Sequence, residues 1–452
     1  MGRGRGNGLA LHRLAMVAPS AVASPQIFAL VDVNNFYVSC ERVFNPHLEN
    51  RPVVVLSNND GCCVARSNQA KEIGVKMGAP WFQLKELAQK HNIVALSSNY
   101  ALYGSMSDRV LSILRDYSPN VEPYSIDESF LSLNGLGGLW PSASAMGQAI
   151  RYRVRQWTGL PVCVGIGPSK TLAKLANHIA KKQPQFNGVC DLASMPQAQT
   201  DLLLANISVV EVWGVGRRIG LQLHAAGITT VQQLRDASSS WLRAKFGVVM
   251  ERTGNELRGI SCLALEEVAP PRKQIISSRS FGQLVHTLPE LSESVASYMS
   301  SAAEKLRREN SVCEAIQVFV QTNPFREQDP QYSKGITIPL PNASSDTRLL
   351  VRAALFGLKH IYRPGFAYKK TGVMLIGIGP AARQQLSLLP QHGAGEKSER
   401  LMQVMDKLNR MYGRNTVSVF SAGNRKAWAM RRENMSPCYT TSWRDVPVAH
   451  AR

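Results

Sequence analysis

Acidic side chains are scarce in this chain. Of its 452 residues, 32 are Asp or Glu against 52 Lys or Arg, which leaves a formal net charge of +20. A deficit of that size argues against a cationic partner and for a polyanionic one, nucleic acid or an anionic membrane surface. Long apolar runs are also missing. No stretch reaches the roughly 18 apolar residues of a bilayer-spanning helix, which excludes a transmembrane protein. Cysteine is sparse and scattered: there are 8, Cys62 and Cys63 are neighbours, and no Cys-x-x-Cys or Cys/His zinc spacing occurs. That excludes an ordinary zinc site or disulfide framework and fits a reduced, cytoplasmic protein. A chain of this length holds about three or four domains.

Residues 1–26 open with Gly2-Arg3-Gly4-Arg5-Gly6 and continue in a weakly apolar stretch that Arg13 interrupts. A disordered extension, or a start set too early with Met16 as the alternative, is a better reading than a secretory signal. From Ile27 the pattern is that of a folded protein. Apolar runs at 27–33, 52–56 and 162–166 read as strands. The segments 65–73, 81–90, 101–117 and 145–158 read as helices. The most legible helix is 169–182. Leu172, Leu175, Ala176 and Ile179 share one face, and Lys170, Lys174, His178 and Lys181 share the opposite one. Those cations form either a solvated face or a row aimed at phosphates. The order of elements suggests helices on one face of a mostly antiparallel sheet, an α+β arrangement. Residues 201–262 are helical. After a polar link at 266–273, strands at 274–281, 314–321, 335–340 and 372–378 alternate with helices at 288–309 and 345–362, a second α+β unit. A tail follows from 380, with one helix at 399–411.

Three carboxylates carry the chemistry. Asp32 stands near the end of the apolar run Ile27–Val33, and Asp127-Glu128 interrupts the strand-like Tyr124–Phe130. Carboxylates are costly inside apolar strands unless paired or bound to metal. Two such strands side by side would hold an acidic cluster able to bind two Mg²⁺, the equipment of phosphoryl or nucleotidyl transfer. Strand neighbours point to opposite faces, so a tight hairpin top is expected at Asp127-Glu128. Asp32 and Asp127 would then bridge both metals, the Val33 carbonyl would add a ligand, and Glu128 would complete the catalytic site. A second constellation is Trp213-Gly214-Val215-Gly216-Arg217-Arg218, followed by Gly227-Ile228-Thr229-Thr230. It reads as a helix-hairpin-helix whose free amides and paired arginines grip one backbone phosphate of a duplex.

The strings Asp32–Tyr37, Leu56–Cys62, Tyr124–Glu128, Lys170–Asn177 and Trp213–Gly216 resemble those of Y-family translesion DNA polymerases. Leu56–Cys62, Gly74–Gly78 and the tail Met435–Thr441 are similar to the UmuC branch of that family. The resemblance extends from Ile27 to the C-terminus. It implies a multidomain right hand: palm at 27–36 and 105–189, fingers at 37–104, helix-hairpin-helix thumb at 190–262, linker at 263–274, little finger at 275–380 and tail at 381–452. It implies metal binding by Asp32, Val33, Asp127 and Glu128, and a steric gate at Tyr37 against the sugar of the incoming dNTP. It also implies nucleotide contacts from Phe36, Lys71 and Lys181, and DNA contacts from Lys170, Lys174, Gly214, Gly216, Arg217 and Arg218. Other family members often carry Tyr where this chain has Asn68 and Arg where it has Lys71, and Lys lacks the bidentate fork of Arg. The implied setting is SOS mutagenesis on primer-template DNA with a UmuD′-like dimer and a RecA filament, in the cytoplasm and at the nucleoid during repair.

Gln385-Leu386-Ser387-Leu388-Leu389 resembles the sliding-clamp-binding pentapeptide of bacterial polymerases, with Gln385 as polar fix and Leu386, Leu388 and Leu389 as anchors. Two other readings stand beside the polymerase. A catalytically idle DNA-binding protein would not need the three acids. A nucleotide cyclase could use the same acids but needs neither the duplex clamp nor the +20 charge.

Overall fold

A computed structural model of the chain describes residues 26–266, 271–383, 396–423 and 428–448. They fall into two compact units, the first drawn from the stretches 1–34 and 108–267, the second from 35–107 and 268–452.

The first unit is built on a five-stranded sheet. Its central strand, Phe28–Val33, is buried along its whole length. Glu128–Ser132 and Val162–Gly167 flank it, both antiparallel. Val121–Pro123 lies outside the first of these, and Val189–Asp191 runs parallel to the second at the far edge. Helices Ala143–Thr158 and Lys170–Lys182 pack on the sheet. Both start on a serine, Ser142 and Ser169, whose hydroxyl accepts a first-turn amide.

Gly165 sets how closely the second helix approaches. A Cβ there would come within 2.0 Å of the Asn177 amide nitrogen, so only glycine lets the helix rest on the strand. Asn177 Nδ2 then donates to the carbonyls of Leu30 (3.2 Å) and Cys163 (2.8 Å), pinning the helix to two strands at once. The helical residues 197–257 extend this unit, and their core (Leu204, Leu223, Leu234, Leu242) is continuous with Leu175 and Ile179. Their last helix, Val248–Leu257, meets the start of helix Lys170–Lys182 through Glu256. The buried Glu256 carboxylate accepts the amides of Thr171 (3.0 Å), Cys262 (2.6 Å) and Leu263 (3.1 Å), while the Ser169 hydroxyl donates to its carbonyl (2.7 Å).

The second unit holds two sheets. In the small one Val53–Leu56 pairs antiparallel with Cys63–Arg66 and parallel with Val94–Ser97. Here the expected helix from Ala65 is corrected. Ala65 pairs with Val55 in the sheet, and the Ser67 hydroxyl caps a shorter helix, Asn68–Glu72, by accepting from Ala70. The larger sheet has four antiparallel strands in the order Ser333–Ser344, Ser311–Thr322, Tyr368–Pro380, Gln274–Val285. Helices Leu288–Arg308 and Thr347–Ile361 bury their apolar stripes against it. A tail helix, Glu396–Tyr412, is tied on by the Arg307–Asp406 pair (2.7 Å). All eight cysteines are free thiols. Among the described residues no helix is long and apolar enough to cross a membrane.

Candidate active site

Pairing register builds the acidic site. Asp32 lies opposite Glu128 on one side and Cys163 on the other. Asp127 stands in the turn before the Glu128–Ser132 strand, outside the alternation of the pleat, and its carbonyl accepts the Val33 amide (3.0 Å). Ser125 shapes that turn. Its hydroxyl donates to Asp127 Oδ1 (2.6 Å) and accepts the Glu128 amide (3.0 Å), while the amides of Tyr124 and Ser125 both donate to the Glu128 carbonyl (3.0 Å). This is the hairpin top that two adjacent acids at one site require.

Two lysines of the Lys170–Lys182 helix answer the acids. Lys181 Nζ lies 2.5 Å from Asp32 Oδ2. Asp32 is only 8% exposed, and burial pushes its carboxyl up to about 6 against the pull of Lys181, with Glu128 and Asp127 adding to the rise. Lys174 Nζ sits 2.8 Å from both oxygens of Glu128. It is also 4.8 Å from the centre of the Tyr124 ring and 5.5 Å from that of Trp213, a two-sided aromatic contact that holds an ammonium well. Among the described residues no three metal-capable side chains converge closely enough to hold an ion as they stand. Each acid instead faces an ammonium or, for Asp127, the Ser125 hydroxyl. The donors are all carboxylate oxygens, the chemistry of a hard divalent cation, and two cations already neutralise them.

Lys170 requires a correction. Helical spacing sets it on one face with Lys174 and Lys181, but it is 3% exposed. Its ammonium pairs with Glu122 and lies 5.1 Å from the Phe130 ring centre. The Glu266 amide donates to the same Glu122 carboxylate (2.7 Å), so Lys170 is a buried structural cation rather than one facing a DNA phosphate. Phe36 is buried as well.

Tyr37 and Lys71 belong to the second unit. Tyr37 is half-buried in helix Phe36–Phe44. Its ring stacks on that of Tyr103 (4.4 Å, 14° between planes) and meets Tyr100 edge-on (6.1 Å). The helix begins at Asn35, which is left-handed (φ 49°) and supplies no side-chain cap. Asn35 instead accepts from Lys71 Nζ (2.6 Å) and donates to Asn68 Oδ1 (3.0 Å). A cation therefore stands beside the N-terminus of this helix.

In the first unit, Gly214 (φ 88°) turns the chain between the short turn Val209–Glu211 and helix Arg217–Ala225, which starts at Gly216 without a side-chain cap. A Cβ at Gly214 or Gly216 would meet nothing within 4 Å, and Arg217 and Arg218 are exposed. Gln385, Leu386, Leu388 and Leu389 lie outside the described residues. Sequence reasoning missed Tyr124 and Trp213 as walls around Lys174. Trp213 opens the hairpin motif, and its aromatic character in a turn was the available signal.

Residues 31–178 match the impB/mucB/samB family, residues 272–388 the C-terminal domain of that family, and residues 399–449 a domain of unknown function, DUF4113. Protein ImpB of Salmonella typhimurium is 45% identical over 94% of this chain and 99% of its own length. Protein UmuC of Salmonella typhimurium is 46% identical over 93% of this chain and 99% of its own length. The fold is similar to that of a solved Dbh-based Y-family DNA polymerase chimera, with a TM-score of 0.63 at 20% identity over 78% of this chain and 99% of that one. Near-full-length likeness to these relatives, on a fold shared with a Y-family enzyme, means that the chain belongs to the UmuC branch of the Y-family DNA polymerases.

Proposed function

We propose that this polymerase adds dNTPs to a primer 3′-hydroxyl by two-metal catalysis, in error-prone synthesis past damage during SOS mutagenesis. The observation that carries the reading is the register that sets Asp32 against Glu128 with Asp127 in the adjoining turn. Two Mg²⁺ held by these acids and the Val33 carbonyl would activate the attacking hydroxyl and offset charge on the displaced pyrophosphate. The protein's own groups do the rest. Buried Asp32 supplies a carboxylate whose desolvation Lys181 only partly offsets, so a divalent ion is favoured there. Lys181 and Lys174, once exchanged off the acids, are cations available to phosphate oxygens. Lys71 and the N-terminal end of helix Phe36–Phe44 favour the triphosphate, and Tyr37 excludes the 2′-hydroxyl.

The division into palm, fingers, thumb, little finger and tail is part of this proposal. The breaks near 34/35 and 107/108 support the palm–fingers boundaries, and that near 267/268 supports the linker. A UmuD′-like dimer, a RecA filament and the sliding clamp, the last through Gln385 to Leu389, complete the proposed setting, with residence in the cytoplasm and at the nucleoid during repair. The test is primer extension by the full-length chain on a primed template, supplied with the UmuD′-like dimer and RecA. Extension that needs Mg²⁺ and stops with EDTA is expected; none under any of these conditions would refute the activity.

The duplex grip has its own test. Arg217→Ala with Arg218→Ala should weaken duplex binding at all sequences alike. The slope of log affinity against log salt should fall by roughly one for each phosphate left without its cation. An unchanged affinity and slope in a fluorescence titration would make the hairpin structural.

A further inference from the structure

The family match over residues 399–449 leaves the tail without a function. Its path in the second unit suggests one. Trp428 is buried beneath the four-stranded sheet, packed against Phe281 and Tyr298. From there the chain crosses to the small sheet. The Arg431 amide donates to Asn59 Oδ1 (2.9 Å) and the Glu433 amide to Asp60 Oδ2 (3.1 Å). Asn59 Nδ2 also donates to the Ser280 carbonyl (2.9 Å), so one loop holds both the tail and the Gln274–Val285 strand. The Ser97 amide donates to the Asn434 carbonyl (2.9 Å), and the Asn434 amide donates to Ser97 Oγ (3.0 Å). Met435 bridges Ser97 in parallel, covering the end of an edge strand. Buried Asn99 donates to the carbonyl and hydroxyl oxygens of Ser436 (3.0 Å each) and to the Pro437 carbonyl (3.1 Å). Tyr439 stacks on Phe44 (4.8 Å, 10°). Two strings that mark the UmuC branch, Leu56–Cys62 and Met435–Thr441, thus serve one docking surface.

The contact that reaches the gate is the Ser436 hydroxyl, which donates to Glu41 Oε1 (3.0 Å). The same oxygen accepts the Tyr103 hydroxyl (2.7 Å), and Tyr103 is the ring on which Tyr37 stacks. Glu41 is 2% exposed, and a carboxylate so placed depends on each donor it has.

We infer that Arg431–Tyr439 is an intramolecular strap that positions Tyr37 through Ser436, Glu41 and Tyr103, and so sets how strictly the enzyme rejects ribonucleotides. The inference rests on the gate reading of Tyr37. Ser436 and Asn99 are positioning residues: they act through Glu41 and the tail path, not on the nucleotide.

The test uses the full-length chain and compares rNTP with dNTP incorporation as a ratio of kcat/KM. Ser436→Ala and Asn99→Ala should each lower discrimination about five-fold, the size of one net hydrogen bond, with dNTP incorporation retained. Ser436→Thr, which keeps the hydroxyl, should restore it. Ser436→Ala added to Tyr37→Ala should cause no further loss. Amide exchange in helix 36–44 should quicken in Ser436→Ala. Parental discrimination in Ser436→Ala, beside a Tyr37→Ala that has lost it, would overturn the strap and leave the gate standing. Parental discrimination in Tyr37→Ala would remove the gate, and the strap's role with it. An additive loss in the double variant would also overturn the inference, since the tail would then act by another route.

Discussion

Asp32→Ala reduces nucleotide addition by at least about a thousand-fold, equivalent to about 4 kcal/mol of transition-state stabilisation. Primer-template affinity stays close to that of the parent, because backbone phosphate contacts elsewhere supply it. The expectation follows from how the acids are arranged. Asp32 is the buried member and the register partner of Glu128, and it faces Lys181 at 2.5 Å. Removing it takes away a hard oxygen donor and leaves that ammonium without its carboxylate. Asp32→Asn keeps the shape of the side chain but not its charge, so an equal loss in both variants identifies charge rather than packing as the cause. Asp127→Ala with Glu128→Ala should behave alike. Single-nucleotide insertion assays on protein freed of host polymerases decide it, and robust extension by Asp32→Ala would end the catalytic assignment.

Tyr37→Ala raises ribonucleotide use relative to deoxyribonucleotide by about a hundred-fold, the upper range of what contact with one small group can discriminate. The ring is well placed for exclusion by shape. Tyr103 backs one of its faces and Tyr100 meets it edge-on, so it has little room to swing aside. Tyr37→Phe keeps the ring and should keep the discrimination, which separates steric exclusion from any role of the phenol. Unchanged sugar choice in an active Tyr37→Ala enzyme would return the residue to the core.

What the sequence discloses depends on whether a signal is local. The helix over Lys170–Lys182 and the four long strands of the second unit are legible because capping serines and repeating apolar positions declare them. Asp32 is legible because an acid in an apolar strand is conspicuous. The strands Cys63–Arg66 and Val94–Ser97 are not, since four residues carry no period and their pairing partners alone make them strands. Lys170 misleads for a related reason. A helical wheel gives direction but not depth, and the Glu122 that draws Lys170 inward stands on a strand distant in sequence. The tail string Met435–Thr441 marks a family without revealing that it closes over Asn99 and Glu41, because that contact exists only between distant parts of the chain.

The buried Glu256 carboxylate makes three backbone bonds, and the Ser169 hydroxyl holds its carbonyl. Charge-assisted bonds of this kind are strong and directional, so the corner they form is a stiff joint rather than a hinge. On one side lies the helical layer that carries Arg217 and Arg218; on the other begins the helix that carries Lys174 and Lys181. Under the proposed duplex grip, a template distorted by damage would push on the former. Through a rigid corner that load would arrive at the latter, next to the acids, instead of being absorbed by slack in the connecting chain. In the proposed enzyme hesitation at a lesion would start as mechanics: the grip would feel the misfit and Lys174 and Lys181 would move with it.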